Sequence, residues 1–136
     1  MIILDASVIL KWFQQEEDSE RALMFEKRHI NGEEVIGAPD LLLYEVTNVL
    51  RYGKHITEHD AEQILDVLAR MEIQIFSFSF FELNEVLLFA REYGITVYDG
   101  LYVILAKRLQ CDFVTADNAL YKKLNGMDFV HLLSGT

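Results

Sequence analysis

Apolar residues along this chain recur with two different periods. Ile2-Ile3-Leu4 and Phe113-Val114 are short unbroken runs bounded by polar residues, as in strands covered on both faces. Between such runs the apolar positions repeat every three or four residues, the spacing of one face of a helix. Together these patterns predict strands over 1–4, 34–37, 72–76, 112–115 and 127–131. They predict helices over 7–15, 19–30, 40–52, 57–70, 80–93, 96–109 and 118–124. Local chemistry supports several boundaries: Pro39 lies near the start of the third helix, Thr57-x-x-Asp60 is a capping box, and Gly94 stops the helix before it.

Strands that alternate with helices long enough to cross over imply a mainly parallel sheet with helices on both faces. The expected fold class is therefore α/β, a three-layer α/β/α arrangement. There is one proline and no Gly/Ser-rich linker, and 136 residues amount to about one domain, so residues 1–136 are expected to form a single unit. With 51% hydrophobic and 25% charged residues, the composition is that of a globular chain rather than a disordered one. No apolar run approaches the ~18 residues of a membrane span. The first residues carry neither a basic region nor a small-residue cleavage site, so no signal peptide is expected and the cytoplasm is the simplest compartment. One cysteine, Cys111, excludes an internal disulfide or a cysteine-rich metal cage.

Twelve basic residues against 22 acidic ones leave a net charge of −10, which argues against a protein that grips nucleic acid mainly through its phosphates. Runs such as Glu16-Glu17-Asp18 serve as a solvated surface. Four other acids occupy more pointed positions. Asp5 follows the first predicted strand and Asp117 follows the strand 112–115, and open parallel sheets collect function at such carboxyl ends. Glu45 has Leu41, Leu42, Asn48 and Val49 as its helical neighbours, which puts a carboxylate on an apolar face where an unpaired charge is costly. Asp99 opens a helix that is apolar nearly all round. Capping accounts for Asp5, Asp99 and Asp117 taken singly. It does not account for Glu45, nor for the four together.

Grouped carboxylates repel one another unless a cation neutralises them. Oxygen ligands without cysteine or clustered histidine suit Mg²⁺ or Mn²⁺ rather than Zn²⁺. A cation held in this way polarises a phosphoryl oxygen and acidifies water, so the substrate class indicated is a phosphodiester or phosphate ester.

The segment Asp5-Ala6-Ser7-Val8-Ile9-Leu10-Lys11-Trp12-Phe13 resembles the opening of PIN-domain ribonucleases, specifically the toxin half of VapBC-type toxin–antitoxin pairs. Glu45-Val46-Thr47-Asn48, Thr96-Val97-Tyr98-Asp99-Gly100-Leu101-Tyr102 and Thr115-Ala116-Asp117 resemble the later motifs of the same family, in its order and spacing. The resemblance spans essentially the whole chain. It implies a compact α/β/α domain that cleaves RNA endonucleolytically with Mg²⁺ or Mn²⁺. Asp5, Glu45 and Asp99 match the acids of the metal site, and Asp117 matches a fourth that often acts through water or at a second metal. Ser7 and Thr115 match hydroxyls that orient those carboxylates, and Asn48 matches the polar residue one turn after the glutamate. Gly100 departs from the pattern, which usually has alanine there.

Other residues receive structural roles. Trp12 and the Phe76, Phe78, Phe80, Phe81 cluster are expected in the core, and Cys111 as a small buried hydrophobe. His29 and His131 are expected at the surface or at strand ends, and His55 and His59 on different faces. Basic residues are scattered, with Lys11 and the pair Lys122-Lys123 placed to flank a site at the strand ends. The third helix carries Leu43, Tyr44 and Leu50 beyond its core face, and the helix 80–93 likewise carries Phe81, Leu88 and Phe89. That surplus predicts an interface. The resemblance implies a twofold dimer together with a groove for a cognate antitoxin helix. Two rivals remain: a phosphatase of another acidic α/β fold, weakened by the lack of a second acid in Asp5-Ala6-Ser7, and a binding module that keeps the acids without cutting.

Overall fold

The structure is a computed structural model covering residues 1–136. Strands β1 (Ile2–Leu4), β2 (Ile36–Pro39), β3 (Gln74–Phe76), β4 (Asp112–Thr115) and β5 (Val130–Leu132) form one sheet in the order β3-β2-β1-β4-β5, and every pairing is parallel. The helices are α1 (Ala6–Ile9), α2 (Ser19–Ile30), α3 (Leu41–Tyr52), α4 (Glu58–Arg70), α5 (Phe80–Tyr93), α6 (Val97–Leu109) and α7 (Asn118–Lys123). The expected three-layer α/β class holds, with a wholly parallel sheet. No helix is long and apolar enough to cross a membrane.

The sheet order decides where chemistry can collect. From β1 the chain builds outward through β2 to β3, then returns to place β4 on the other flank of β1. Diverging connections leave a crevice outside the carboxyl ends of the two central strands. The register aligns Leu4 with Val114, so the next residues along, Asp5 and Thr115, come side by side. Burial holds this edge firmly, since Ile3, Leu4, Phe113 and Val114 are essentially inaccessible. The almost fully apolar α6 covers β1, β2 and β4, and Tyr102, Val103, Ile104 and Leu105 are all in the core.

Several boundaries differ from the expected ones for identifiable reasons. The helix expected over 7–15 is only one turn of α followed by a 3₁₀ turn, Leu10–Trp12. Beyond it the Ser19 hydroxyl donates to the Gln14 carbonyl, which ends the helical pattern. The second strand begins at Ile36, because the Glu33 and Glu34 N–H groups still bond the Arg28 carbonyl at the end of α2. Pro39 ends β2 rather than starting α3, and pairing with β1 has already ended at Gly37. The third strand begins at Gln74 because Glu72 is left-handed (φ 55°). The last begins at Val130, after a turn in which the Val130 N–H bonds the Met127 carbonyl.

Three side-chain expectations are also corrected. Phe76 and Phe78 pack against the core, whereas Phe80 and Phe81 on the first turn of α5 are 94% and 93% exposed. Leu50 and Phe89, expected in the apolar surplus, are buried within the chain, while Leu43, Tyr44 and Leu88 are exposed. His29 is not a loose surface residue. Its Nδ1 accepts from the Ile36 N–H at 3.0 Å and its Nε2 lies 2.5 Å from the Met71 carbonyl, tying α2 to β2 and to the end of α4. Trp12 is in the core as expected, and its indole N–H donates to the Ala22 carbonyl at 2.8 Å.

Candidate metal centre

Asp5 is the N-cap of α1, with Oδ1 accepting from the Val8 N–H at 3.3 Å. It does more than cap. The Ser7 hydroxyl donates to Oδ1 and the Thr115 hydroxyl to Oδ2, each at 2.5 Å, and only 7% of the residue is exposed. Thr115 also accepts from the Asp117 N–H at 3.1 Å, and Ser7 accepts from the Ala116 N–H at 2.9 Å. Ser7 and Thr115 thus lace the ends of β1 and β4 together around a single carboxylate. Burial pushes the Asp5 carboxyl up to about 6, against hydrogen bonds from Ser7, Thr115 and Val8 that favour the charged form, while Asp99 adds repulsion.

Glu45 points inward from the middle of α3 and is half-buried. Its partner is a hydroxyl, not a cation: the Tyr102 O–H donates to Oε1 at 2.7 Å. Burial raises the Glu45 carboxyl, the Tyr102 hydrogen bond opposes the rise, and Asp99 adds to it. Burial and the adjacent Glu45 carboxylate hold the Tyr102 phenol far above its ordinary range, so it stays a donor. Sequence reasoning missed Tyr102. It lies three residues after Asp99, one turn along the same face of α6, but nothing in the sequence sets α6 against α3.

Asp99 differs from the other acids at capping-box positions. In Thr57-x-x-Asp60 and Ser79-x-x-Glu82 the acid reaches back to the cap N–H and closes the box. In Thr96-x-x-Asp99 the Thr96 hydroxyl accepts from the Asp99 N–H at 3.0 Å, but the carboxylate makes no reciprocal bond to the Thr96 backbone. Burial raises the Asp99 carboxyl. The Thr96 hydroxyl opposes this, Asp117 adds repulsion, and Lys123 offsets part of it. Each repulsion that connects two of the four acids includes Asp99. It is their electrostatic hub.

Asp117 is exposed and caps α7, with Oδ1 accepting from the Leu120 N–H at 3.0 Å. It lines a cleft of about 360 Å³ together with Thr96, Asp99 and Lys123, and Asp5 and Glu45 lie outside that lining. Lys123 is anchored there, its ammonium donating to the Gly94 carbonyl at 3.0 Å. Of the lysines expected to flank the site, Lys11 is turned away, donating to the Glu17 carbonyl at 2.8 Å. Asn48 is exposed on α3, one turn after Glu45, and makes no hydrogen bond to the acids.

No three histidine, cysteine, aspartate or glutamate side chains stand close enough to grip one ion by direct contact. The donors are carboxylate oxygens without clustered cysteine or histidine, a chemical type that suits Mg²⁺ or Mn²⁺ rather than Zn²⁺. Burial is the first cause of the raised carboxyls of Asp5, Glu45 and Asp99, and repulsion from a neighbouring acid adds to it in each.

The model of the PIN domain family matches residues 2–124, a span that includes all four acids and both supporting hydroxyls. The chain is 31% identical over 128 residues to Ribonuclease VapC3 of Pyrobaculum aerophilum, covering 90% of this chain and 93% of that protein. Among solved structures, PAE2754 from Pyrobaculum aerophilum superposes with a TM-score of 0.71 at 22% identity, over 98% of this chain and 84% of that one. A toxin–antitoxin complex from Klebsiella pneumoniae gives 0.68 at 15% identity, over 96% and 95%. VapBC2 from Rickettsia felis, solved with a DNA fragment of its promoter, gives 0.65 at 17% identity, over 97% of each chain. A family match that runs from β1 through α7, joined to a ribonuclease relative of nearly the same length, shows that this chain belongs to the PIN-domain family.

Proposed function

We propose that this chain is a metal-dependent endoribonuclease of the VapC type, hydrolysing RNA phosphodiester bonds as a cytoplasmic toxin restrained by a cognate antitoxin. The observation that carries the reading is the electrostatic hub at Asp99. Asp5 and Glu45 are both raised and both repelled by Asp99, which is itself raised and shares a cleft with Asp117 and the anchored ammonium of Lys123. Asp5, Glu45 and Asp99 would hold Mg²⁺ or Mn²⁺, and Asp117 would act through water. When bound, the cation supplies an acidified water and withdraws charge from the phosphoryl oxygen.

The chain's own residues do the rest. Ser7 and Thr115 hold Asp5 by both oxygens, so its orientation is set before any ligand arrives. Asp117, with one oxygen spent on capping, keeps the other to accept a proton or orient water. Lys123 is the one basic side chain lining the cleft, and it is placed to meet a backbone phosphate that would otherwise encounter a −10 protein. The similarity to Ribonuclease VapC3 supports RNA as the substrate. A phosphatase of another fold is disfavoured by the family membership itself.

Two interaction surfaces accompany this reading. Leu43 and Tyr44 on α3 and Phe80, Phe81 and Leu88 on α5 are exposed apolar residues suited to a homodimer interface. An apolar furrow between α3, α4 and β3, lined by Ile9, Leu42, Val46, Leu65, Leu68 and Ile75, suits the apolar face of an antitoxin helix. The functional test is incubation of the purified protein with a mixed RNA pool, with Mg²⁺ or with chelator. Cleavage that needs the cation and vanishes in Asp5→Asn and Asp99→Asn is expected. Cleavage that survives either variant or the chelator refutes the proposal.

A further inference from the structure

Three arginines lie over aromatic rings, and they differ in what else each touches. Arg28 lies over Phe25, which is buried. Arg108 lies over Phe78 and gives its donors to Glu82 and Glu85. Arg51 lies over Tyr52 at 5.0 Å with no carboxylate paired to it, and Tyr52 is 70% exposed. Neither Arg51 nor Tyr52 belongs to the core or to the acid centre described above.

Their position gives them a use. Glu45, Asn48 and Tyr52 follow one another on α3 at the i, i+3, i+7 spacing that puts residues on one stripe of a helix. Glu45 reaches Tyr102 of α6, one turn past Asp99, so this stripe borders the part of α6 that carries the hub of the acids. Tyr52 ends α3 about 10 Å along the helix from Glu45, the length of roughly three nucleotides at the ~3.4 Å rise of a stacked strand. Residues 46–57 contain Arg51 and Lys54 and no acid, in a chain with 22 acids. The end of α3 is therefore a basic spot on a protein of net charge −10.

We propose that Tyr52 and Arg51 form a docking point for single-stranded RNA, with one base stacked on the open face of the Tyr52 ring and Arg51 meeting the adjoining phosphate. The inference rests on the ribonuclease reading above and names a path for the strand beyond the acids. Every base has a π-face, so a tyrosine ring holds a strand without reading its sequence, and the guanidinium beside it supplies charge. Duplex RNA keeps its bases stacked on one another and offers no free face, so the platform selects single strands. An apolar protein face fits this spot poorly, because seating it would strip water from the unpaired guanidinium and from the exposed Asn48 amide.

The test is fluorescence anisotropy in MgCl₂ with the cleavage-inactive Asp99→Asn chain as parent. The probes are a labelled oligouridine and a ribose-phosphate polymer of equal length that lacks bases. The parent should bind the oligouridine more tightly. Tyr52→Ala and Tyr52→Leu should each lower oligouridine affinity about 10-fold and leave the baseless polymer unchanged, whereas Tyr52→Phe should match the parent. Arg51→Gln should weaken both probes and lower the slope of log K against log salt by about 0.7. None of these variants removes a core contact. A parent with no preference for bases, an unchanged Tyr52→Ala, equal losses on both probes, or a Tyr52→Leu that binds like Tyr52→Phe overturns the platform. Each leaves the nuclease reading standing if the unsubstituted chain cleaves the mixed RNA pool. Absence of that cleavage overturns the nuclease reading and this inference with it.

Discussion

Thr115→Val is the most informative single substitution at the centre, because it alters hydrogen bonding and almost nothing else. Thr115 is fully buried, and valine matches its shape. Its hydroxyl donates to Asp5 Oδ2 at 2.5 Å and accepts from the Asp117 N–H at 3.1 Å. A hydrogen bond to a charged group contributes roughly 1.5–3 kcal/mol, and an N–H left without a partner costs roughly 1–3 kcal/mol more if water cannot reach it. The first contribution depends on pH. Asp5 has its carboxyl raised to about 6 from an ordinary 3.8, so it favours the folded state fully below the ordinary value and progressively less as pH rises through 6. That gap corresponds to about 3 kcal/mol of stability lost by the metal-free wild type between about pH 4 and pH 7. Valine removes one of the hydrogen bonds that hold the charged form, so it should raise the Asp5 carboxyl further and steepen the loss. Urea unfolding in chelator at pH 5 and pH 8 measures both effects. Destabilisation should exceed about 2 kcal/mol at pH 8 and shrink at pH 5, where the protonated acid needs the hydroxyl less. An equal penalty at both pH values, or a larger one at pH 5, would refute a buried Asp5 whose charged form depends on Thr115.

Asp99→Asn removes the repulsion common to the other acids. It should stabilise the metal-free chain at neutral pH by on the order of 1 kcal/mol while abolishing cleavage, as thermal unfolding in chelator and an RNA assay would register. Lys123→Gln should weaken RNA binding in a cleavage-inactive background and lower the slope of log K against log salt by about 0.7, the contribution of one phosphate on a single strand. An unchanged slope would remove Lys123 from the substrate path. A Cβ at Gly100 would approach the Val86 Cγ1 to 3.2 Å, so Gly100→Ala should fall short of the ~1 kcal/mol that helix propensity offers. Adding Val86→Ala should recover part of it, a coupling that a double-mutant cycle measures. On the proposed dimer interface, Leu88→Glu with Phe81→Glu should give the monomer mass in sedimentation equilibrium, against a dimer mass for the unsubstituted chain, without lowering cooperativity of unfolding, since both side chains are exposed in the single chain.

The alternation of elements, the boundaries marked by caps and the four acids were all legible in the residues alone. These are local quantities. Thr57 and Gly94 begin and end helices through their own backbone neighbours, and the double-sided apolar runs of β1 and β4 mark central strands wherever they pair. Boundaries without such a signal shifted, as at 7–15 and 127–131, because the deciding hydrogen bonds run to residues that no period reveals. The meeting of Asp5 with Thr115 belongs to the folded chain, since a parallel register joins residues 110 apart in sequence. Packing likewise gave Glu45 a phenol for a partner, put Lys123 rather than Lys11 in the cleft, and turned Phe80 and Phe81 outward. One cause underlies all of these. Propensity and capping act over one helical turn, whereas the position of a charge among other charges depends on how the layers pack.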